Sequence, residues 1–408
     1  MLKVLPTLLL STITCVFSAP ILYADDVTPK AVIENYANLV HAEFSDTLVA
    51  AKNLQTKVDA FITKPTEATH TAAKQAWLAA RVPYSQTEVF RFGNPNIDEW
   101  EGSVNAWPLD EGLIDYVKSD AYEHEEGNQF ATANIIAGTE PITAELLTSY
   151  QEKGGSEANV ATGYHAVEFL LWGQDFNQDP KAAGTRNYTD FVQGTECTHK
   201  NCERRAQYLK TATDLLIADL SKMEQDWAPD QVNYRKSFLA FEETEALRRI
   251  LFGMGSLSLG ELAGERMNVA LLAHSQEDEH SCFSDNTHND ILSNVQGINN
   301  VFNGSYQRTD GTTLKGASLA ELLASKDKAL SAELEQNLNA TKATAEDIVK
   351  AASNGEPFDQ QIAAENSAGN DRVKATIAAL RTQTASIEAA AKALGVSNLS
   401  PETSDSLQ

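Results

Sequence analysis

The sequence has few of the residues that make tight turns. Glycine accounts for 22 and proline for 12 of its 408 residues, whereas a β-rich architecture needs many turns. This scarcity favours long helices. A chain of this length predicts roughly two or three domains.

Positive charge is also scarce. The 32 Lys and Arg residues are outnumbered by 57 Asp and Glu residues, and the formal net charge is −25. Such a charge repels phosphate, which excludes a general nucleic-acid binder, and it repels anionic membrane surfaces for the same reason. The chain is not disordered as a whole, because 42% of it is hydrophobic.

Long apolar runs are missing after the N-terminus. No later segment has the roughly 18 uninterrupted apolar residues of a transmembrane helix. Residues 1–24 are typical of a secretory signal, with Lys3 before a mostly apolar stretch and Ala24 ending an acceptable cleavage site. We therefore expect export, without a lipid anchor at Cys15, because the preceding Thr-Ile-Thr matches a lipid-attachment motif poorly.

Cysteine is rare, with four in the whole chain. In an oxidising compartment the closely spaced Cys197 and Cys202 are expected to form a local disulfide. The alternative is a metal-binding pair, but no second pair of this kind is present to complete a zinc site. Cys282 is expected to be a buried free thiol.

Apolar residues recur at steps of three and four along most of the chain, which predicts helices. The first helix is expected over about 29–61, and the second over about 66–92, with a kink or break at Pro83. Further helices are predicted near 131–150, 158–174, 205–227, 235–273, 318–352 and 370–394. Residues 93–130 look irregular, and loops of that length are usually functional.

These helices predict an all-α fold built from two helical bundles. We place the boundary near Pro229. The N-terminal bundle then spans residues 25–228 and the C-terminal bundle spans residues 229–408.

The second helix carries an unusual polar and aromatic stripe. Residues at steps of four and three share one helix face, and the members here are Trp77, Arg81, Tyr84, Glu88 and Arg91. A solvated face with a salt bridge is one interpretation. Because Trp and Tyr do not favour solvent, the other interpretation is a cleft or a buried polar network.

A Trp-Pro turn at Trp107-Pro108 is followed by the carboxylates Asp110 and Glu111. Asp110 suits the N-cap of a following helix. The functional alternative is a loop that presents this carboxylate to the interior of the bundle.

The sharpest feature is the segment GYHAVEFLLWGQD, which begins at Gly163. On a helix His165 and Glu168 lie three residues apart and share a face. Apolar neighbours surround them, so the helix must be buried and the two polar groups must be paired or coordinated. A core His–Glu hydrogen bond and a pair of metal ligands are both consistent with this pattern.

The stretch Gln276–Asp290 is dense in side chains that can bind metals. A polar loop between helices, with capping residues, is the simpler interpretation, and a second site around Asp285–Asp290 is left open. The signatures H-E-x-x-H, H-x-x-E-H and G-x-S-x-G are absent from the sequence, so the common zinc-peptidase and serine-hydrolase motifs are missing.

The G-x-H-x-x-E motif in this setting resembles the imelysin signature. NAWPLDEG, TEVFRFGN and SCFSDNTHND are similar to segments of imelysin-like proteins of the iron-regulated type, and the resemblance covers about residues 30–395. It implies two helical bundles that look like a duplication, a periplasmic or outer-membrane-associated location, and a role in iron uptake or regulation. It also implies that His165 and Glu168 are metal ligands.

We add Glu88 and Asp110 to the expected ligands, from the polar stripe and the Trp-Pro loop. Arg81 and Arg91 would hold the carboxylates or balance their charge, and Tyr84 shares their helix face. One imidazole with several carboxylates suits iron better than a catalytic zinc ion, although zinc or another divalent ion is an alternative.

The sequence therefore predicts an exported iron-binding protein for uptake or regulation. Its expected partners are a metal ion or an iron chelate and an envelope iron-transport component, and not nucleic acid. The alternative is a metal-dependent peptidase at the same H-x-x-E site, which would need three protein ligands, an activated water and a general base. A third class is a binding module whose cleft holds a peptide, haem or chelated iron.

Overall fold

The computed structural model describes residues 27–403 except 119, 121, 123 and 176–182. The predicted signal segment 1–24 and Cys15 lie outside the described residues. Helices dominate the part of the chain that the structure describes, and they are α1 (Pro29–Thr63), α2 (Glu67–Thr87), α3 (Pro95–Val104), α4 (Ala144–Tyr150), α5 (Gly163–Trp172), α6 (Cys202–Trp227), α7 (Tyr234–Phe238), α8 (Glu243–Ser256), α9 (Ala270–Ala273), α10 (Thr287–Asn303), α11 (Leu319–Lys326), α12 (Lys328–Ser353), α13 (Phe358–Ile362) and α14 (Ser367–Ala393).

Shorter elements complete this description. A π-helical segment, Leu257–Val269, joins α8 to α9. Antiparallel strands β1 (Ser305–Gln307) and β2 (Thr313–Lys315) form a hairpin after α10, with Tyr306 opposite Leu314. Single 3₁₀ turns lie at Glu88–Phe90, Glu111–Leu113, Ile135–Ala137, Lys153–Gly155, Tyr188–Phe191 and Gly194–Glu196.

The first two helices begin where the local chemistry favours a start. The Thr28 hydroxyl accepts a hydrogen bond from the Ala31 N–H, and Pro29 occupies the first turn of α1. Thr66 and Thr69 form a capping box at the start of α2. The helix α2 passes through Pro83 without ending, because packing against α1 and α10 outweighs the loss of a single N–H from its ladder.

The helices pack in two groups, and the prediction of an all-α fold is confirmed. In the first group α1, α2, α5 and α6 contact one another, and in the second α8, the π-helical segment, α10, α12 and α14 do so. Contacts of α2 with α10 and of α1 with α8 join the groups. Pro229 lies in the turn between α6 and α7, and the domain boundary there stays a prediction.

Several helix predictions need correction. The irregular stretch contains α3, and of the helix expected over 131–150 only α4 forms. The polar stretch Gln276–Asp290 ends inside α10, a helix that the apolar pattern does not predict. Ile291 and Val295 belong to its buried face, but buried asparagines such as Asn294 and Asn300 interrupt the apolar pattern in the sequence. The helix expected over 235–273 is divided into α7, α8, the π-helical segment and α9.

Cys197 and Cys202 are joined by a disulfide at the start of α6, and Cys282 is a buried free thiol, as the sequence predicts.

Within the described ranges, every helix is too short or too polar to cross a membrane.

Candidate metal centre

The buried helix α5 carries the G-x-H-x-x-E motif. Gly163 has φ of +82°, and a Cβ atom there would lie 2.5 Å from the backbone oxygen of Val104, so this position requires glycine. Both functional side chains are fully buried, and His165 Nδ1 lies 2.8 Å from Glu168 Oε2. The helix therefore brings together the two residues that the motif predicts.

Glu168 is fixed at both of its oxygens. Oε2 faces His165, while Oε1 accepts hydrogen bonds from the Ser284 backbone N–H at 3.0 Å and from the Ser284 hydroxyl at 2.6 Å. Burial raises the pKa of Glu168 to about 8, although the Ser284 hydroxyl opposes that rise. This carboxyl group thus ties α5 to the loop that precedes α10.

A second imidazole faces the first. His165 Nε2 lies 3.3 Å from His280 Nε2, and the ring of Trp107 meets that of His280 edge to face, with centroids 5.4 Å apart. Burial lowers the pKa of His165, and it lowers the pKa of His280 to about 4 with the help of the Arg266 charge. Both rings are therefore neutral at pH 7, which is the form that binds metals.

His280 also has a carboxylate on its far side. His280 Nδ1 lies 3.3 Å from Asp290 Oδ2, close to it but off the line of an ideal hydrogen bond. Asp290 is held by Arg81, whose Nε and Nη2 donate to its two oxygens at 3.3 and 3.2 Å, and by Ser281. Burial alone would raise the pKa of Asp290, but Arg81 and then the contacts with His280 hold it well below its usual value.

The two histidines are thus oriented in the same way. Each has a carboxylate beside Nδ1, Glu168 for His165 and Asp290 for His280, and each presents Nε2 to the other ring. Metal-binding histidines commonly have a carboxylate on the nitrogen that does not bind the metal. Two nitrogens on one ion at about 2.0–2.1 Å lie roughly 3.0–3.4 Å apart, so the observed spacing fits a shared ion.

Glu88 lies in the neighbouring polar network as an ion-pair partner. Arg266, from the π-helical segment, donates to its Oε2 at 2.6 Å and to its Oε1 at 2.8 Å. Asn105 Nδ2 donates to the same Oε1 at 2.8 Å and lies 3.4 Å from His280 Nε2. Burial raises the pKa of Glu88, but Arg266 reverses this and lowers it to about 2. Arg266 reaches Glu88 from the π-helical segment, and π-helical turns often occur at functional sites.

Asp110 belongs to a different network. Its Oδ2 accepts from Asn128 Nδ2 at 2.5 Å, and its Oδ1 lies 3.4 Å from the Glu125 backbone nitrogen, which donates to it. It precedes the 3₁₀ turn Glu111–Leu113 without capping it through its side chain. Within the described chain, no three of the predicted ligands His165, Glu168, Glu88 and Asp110 bring ligand atoms within 4.8 Å of one another.

The predicted supporting residues differ in their positions. Arg81 contacts Asp290 and also donates to Asn105 Oδ1 at 2.5 Å, so it lies directly behind the histidine pair. Tyr84 packs beside it, with the Arg81 guanidinium 5.2 Å from the ring centroid. Arg91 lies farther away, in ion pairs that include Asp98 at 2.8 Å.

Sequence reasoning missed His280, Asp290, Ser284 and Asn105 as members of the site. The first three belong to the stretch Gln276–Asp290, whose density of polar side chains was the available signal. Asn105 precedes Trp107 in the Trp-Pro loop. That loop therefore supplies an amide and an indole to the site, while its carboxylate Asp110 points elsewhere.

Comparison with known proteins identifies relatives over most of the chain. The family model described as Imelysin matches residues 40–387. "Iron-regulated protein A" of Synechococcus elongatus is 24% identical over 305 residues, which is 73% of this chain and 69% of that protein.

Two crystal structures have a similar fold. One, from Parabacteroides distasonis, is described as an iron-regulated protein A precursor. It has a TM-score of 0.66 and 18% identity, and the match covers 90% of this chain and 94% of that one. The other, an imelysin-like protein from Psychrobacter arcticum, has a TM-score of 0.53 and 14% identity, and the match covers 87% and 93% of the two chains.

Proposed function

This chain belongs to the imelysin family, and we propose that it binds a metal ion, iron in the first place, between His165 and His280. The observation that carries the proposal is the 3.3 Å separation of the two Nε2 atoms, each on a neutral buried ring. The proposed centre lies where the two groups of helices meet, since His165 is on α5 and His280 precedes α10.

Glu168 and Asp290 have supporting roles in this proposal. Each lies beside the Nδ1 atom of one histidine, and together they direct both Nε2 atoms toward the same point. Glu168 Oε1 is already used by Ser284, so Glu168 would orient a ligand and would not be one. The two imidazoles would leave further coordination positions for water.

Iron is proposed from the relatives and from the chemistry of the site. The relative from Synechococcus elongatus and the protein from Parabacteroides distasonis are both described as iron-regulated protein A. Imidazole nitrogen suits iron as well as zinc and copper. The signal-like residues 1–24 support a place outside the cytoplasm, where the protein would pass iron or an iron chelate to an envelope transport component.

The peptidase alternative has less support. His165 and His280 are each only 1% exposed, so a polypeptide chain does not reach them in this conformation. A zinc peptidase typically needs three protein ligands and a general base. Glu168, the candidate base, has both oxygens engaged by His165 and Ser284. Binding and transfer of a metal require neither a peptide cleft nor a base.

The proposal is tested by titrating the mature protein with Fe²⁺ under anaerobic conditions. We expect stoichiometric binding that is lost in His280→Ala. The control is His70→Ala, because His70 is also a buried histidine of the same fold but donates to the Leu171 backbone oxygen at 2.7 Å and lies outside the centre. Equal iron binding by His280→Ala and the wild type would overturn the proposal.

A further inference from the structure

Three carboxylates from two separate segments converge beside the histidine pair. Glu279 and Asp285 lie in the loop between α9 and α10, and Asp359 lies on α13. One carboxylate oxygen from each lies within 4.8 Å of the others, and within the described residues no other group of three His, Cys, Asp or Glu side chains does this. The cluster is separate from the pair formed by His165 and His280.

The deepest member of the cluster has no hydrogen-bond partner. Glu279 is 0% exposed, and neither of its carboxylate oxygens accepts a hydrogen bond of ordinary geometry, although Thr287 is near enough to lower its pKa. Oδ1 of Asp285 and Oδ1 of Asp359 are also buried without a partner. Buried polar groups are nearly always satisfied, so four unpartnered oxygens within one cluster of three side chains point to a ligand.

The surroundings of the cluster contain further negative charge. Asp175, which accepts from Gln276 Nε2 at 2.5 Å, is close enough to raise the pKa of Asp285, and Asp359 raises it as well. Burial is the largest cause and brings the pKa of Asp285 to about 8. Across the described ranges, no Lys or Arg forms an ion pair with Glu279, Asp285 or Asp359. A cation is the partner that would match this local charge.

We propose that Glu279, Asp285 and Asp359 form an oxygen-only site for a divalent cation of the calcium class. The donors are all hard carboxylate oxygens, without nitrogen or sulfur, which suits Ca²⁺ and Mg²⁺ and not a soft transition metal. Calcium accepts a flexible arrangement of oxygen ligands at about 2.3–2.6 Å, whereas magnesium demands a near-ideal octahedron at about 2.0–2.1 Å, so carboxylates from two separate segments suit calcium better. Asp285 and Asp359 are partly exposed, which leaves room for water ligands.

The bound cation would stabilise the loop that carries His280. Glu279 immediately precedes His280, and the backbone oxygen of Glu279 accepts from Trp107 Nε1 at 2.8 Å. By joining this loop to α13, the cation would fix the position of His280 and of Ser284, which holds Glu168. The site is thus structural, and it is independent of the identity of the metal between the histidines.

The first test measures thermal unfolding of the mature protein in Ca²⁺ and in chelator. We expect Ca²⁺ to raise the Tm of the wild type and to leave Asp285→Asn and Asp359→Asn unchanged. In chelator both variants should be about as stable as the wild type, because burial already raises the pKa of each carboxyl that the amide replaces. Asp278→Asn, on the same loop but outside the cluster, is the control and should respond to Ca²⁺ like the wild type. An equal response of all four proteins, or none, would overturn the proposal.

The second test uses Tb³⁺, an oxygen-seeking probe that emits when a nearby Trp is excited. Trp107 is hydrogen-bonded to Glu279, so Tb³⁺ in the site should luminesce, Trp107→Phe should lose the signal, and Ca²⁺ should displace the probe. Glu279→Gln should weaken Tb³⁺ binding roughly tenfold or more, while Glu168→Gln should not change it. A signal that persists in Glu279→Gln, or that Mg²⁺ displaces as readily as Ca²⁺, would contradict the assignment.

Discussion

His165 and His280 face each other through their Nε2 atoms at 3.3 Å, the first on α5 and the second in the loop that precedes α10. Their residue numbers are far apart, and only the packing of α5 against the loop before α10 brings them together. Each ring is oriented from behind by a carboxylate, Glu168 or Asp290. The proposed centre therefore depends on four side chains, and changes in each have distinguishable consequences.

Glu168→Gln should abolish metal binding while leaving the fold intact. Ser284 donates to Oε1 through two groups, so the amide oxygen of glutamine must take that position and its NH₂ group must face His165 Nδ1. A metal on Nε2 requires the proton on Nδ1, and Oε2 must then accept a hydrogen bond from it. Glu168 can lose its own proton when the ion binds, whereas the glutamine NH₂ group remains a donor and holds the ring with its proton on Nε2. Calorimetric titration with Fe²⁺ would measure the loss, and unfolding in urea should show a change within about 1 kcal/mol.

The matched control for this substitution is Glu224→Gln. Glu224 Oε1 lies 2.9 Å from His41 Nε2 between α1 and α6, in a His–Glu pair outside the centre. This variant should bind iron like the wild type. If Glu168→Gln keeps full affinity, the orienting role assigned to Glu168 is wrong.

Asp290→Asn should destabilise the protein much more than Glu168→Gln does. It leaves the fully buried Arg81 without its charged partner, and breaking a buried ion pair typically costs about 3–5 kcal/mol. Asp98→Asn removes the same charge from a pair with Arg91 whose Asp side chain is 49% exposed, and it should cost at most about 1 kcal/mol. Urea unfolding of the two variants measures the contrast, and equal losses would contradict the structural role of Asp290.

Gly163→Ala tests the entry of the chain into α5. The positive φ alone costs roughly 1–2 kcal/mol for a residue with a Cβ atom, and here the Cβ would also meet the Val104 oxygen at 2.5 Å. Gly155→Ala has nearly the same φ, +83°, with no atom within 4 Å of the added Cβ. The free energy of unfolding should therefore fall clearly more for Gly163→Ala than for Gly155→Ala, and a similar fall would show that the close approach is unimportant.

Acid should destabilise the protein partly through Asp115. Burial raises the pKa of this carboxyl, but Arg186 and Arg205, which contact it at 2.6 Å, lower it to below its ordinary value. A carboxyl with a depressed pKa contributes stability above its unfolded pKa of about 3.9, and this contribution is lost as the pH falls toward its folded value. Asp115→Asn should therefore be less stable than the wild type at pH 7, and the difference should shrink below about pH 4.

This pH dependence is measured by urea unfolding of both proteins between neutral and acidic pH. A difference that stays constant over the whole range would show that the charge of Asp115 does not supply the stability.

Local patterns in the sequence are enough to predict part of this arrangement. The spacing of His165 and Glu168 predicts their contact, because residues three apart share a helix face. The apolar periodicity likewise predicts α1, α6, α12 and α14, although it misses α10. The polar and aromatic stripe belongs to a buried polar network, one of the two interpretations that its pattern leaves open, since Arg81, Tyr84 and Glu88 are all buried.

The rest depends on contacts between distant segments. His280 and Asp290 lie in a polar stretch whose composition is equally compatible with a surface loop. They belong to the site because the fold buries them, which the composition of the stretch does not predict. Asp110 looks like a ligand in the sequence because it follows a Trp-Pro turn. Its partners Asn128 and Glu125 come from a loop whose position no local pattern predicts.

X-ray absorption at the iron edge is the most direct probe of the paired histidines, with the mature protein loaded with one equivalent of Fe²⁺. If iron is bound as proposed, the wild-type spectrum should show scattering from two imidazole rings, and His280→Ala should not retain the bound iron. Iron bound only by oxygen atoms in the wild type, or an unchanged spectrum in His280→Ala, would contradict a metal held between His165 and His280.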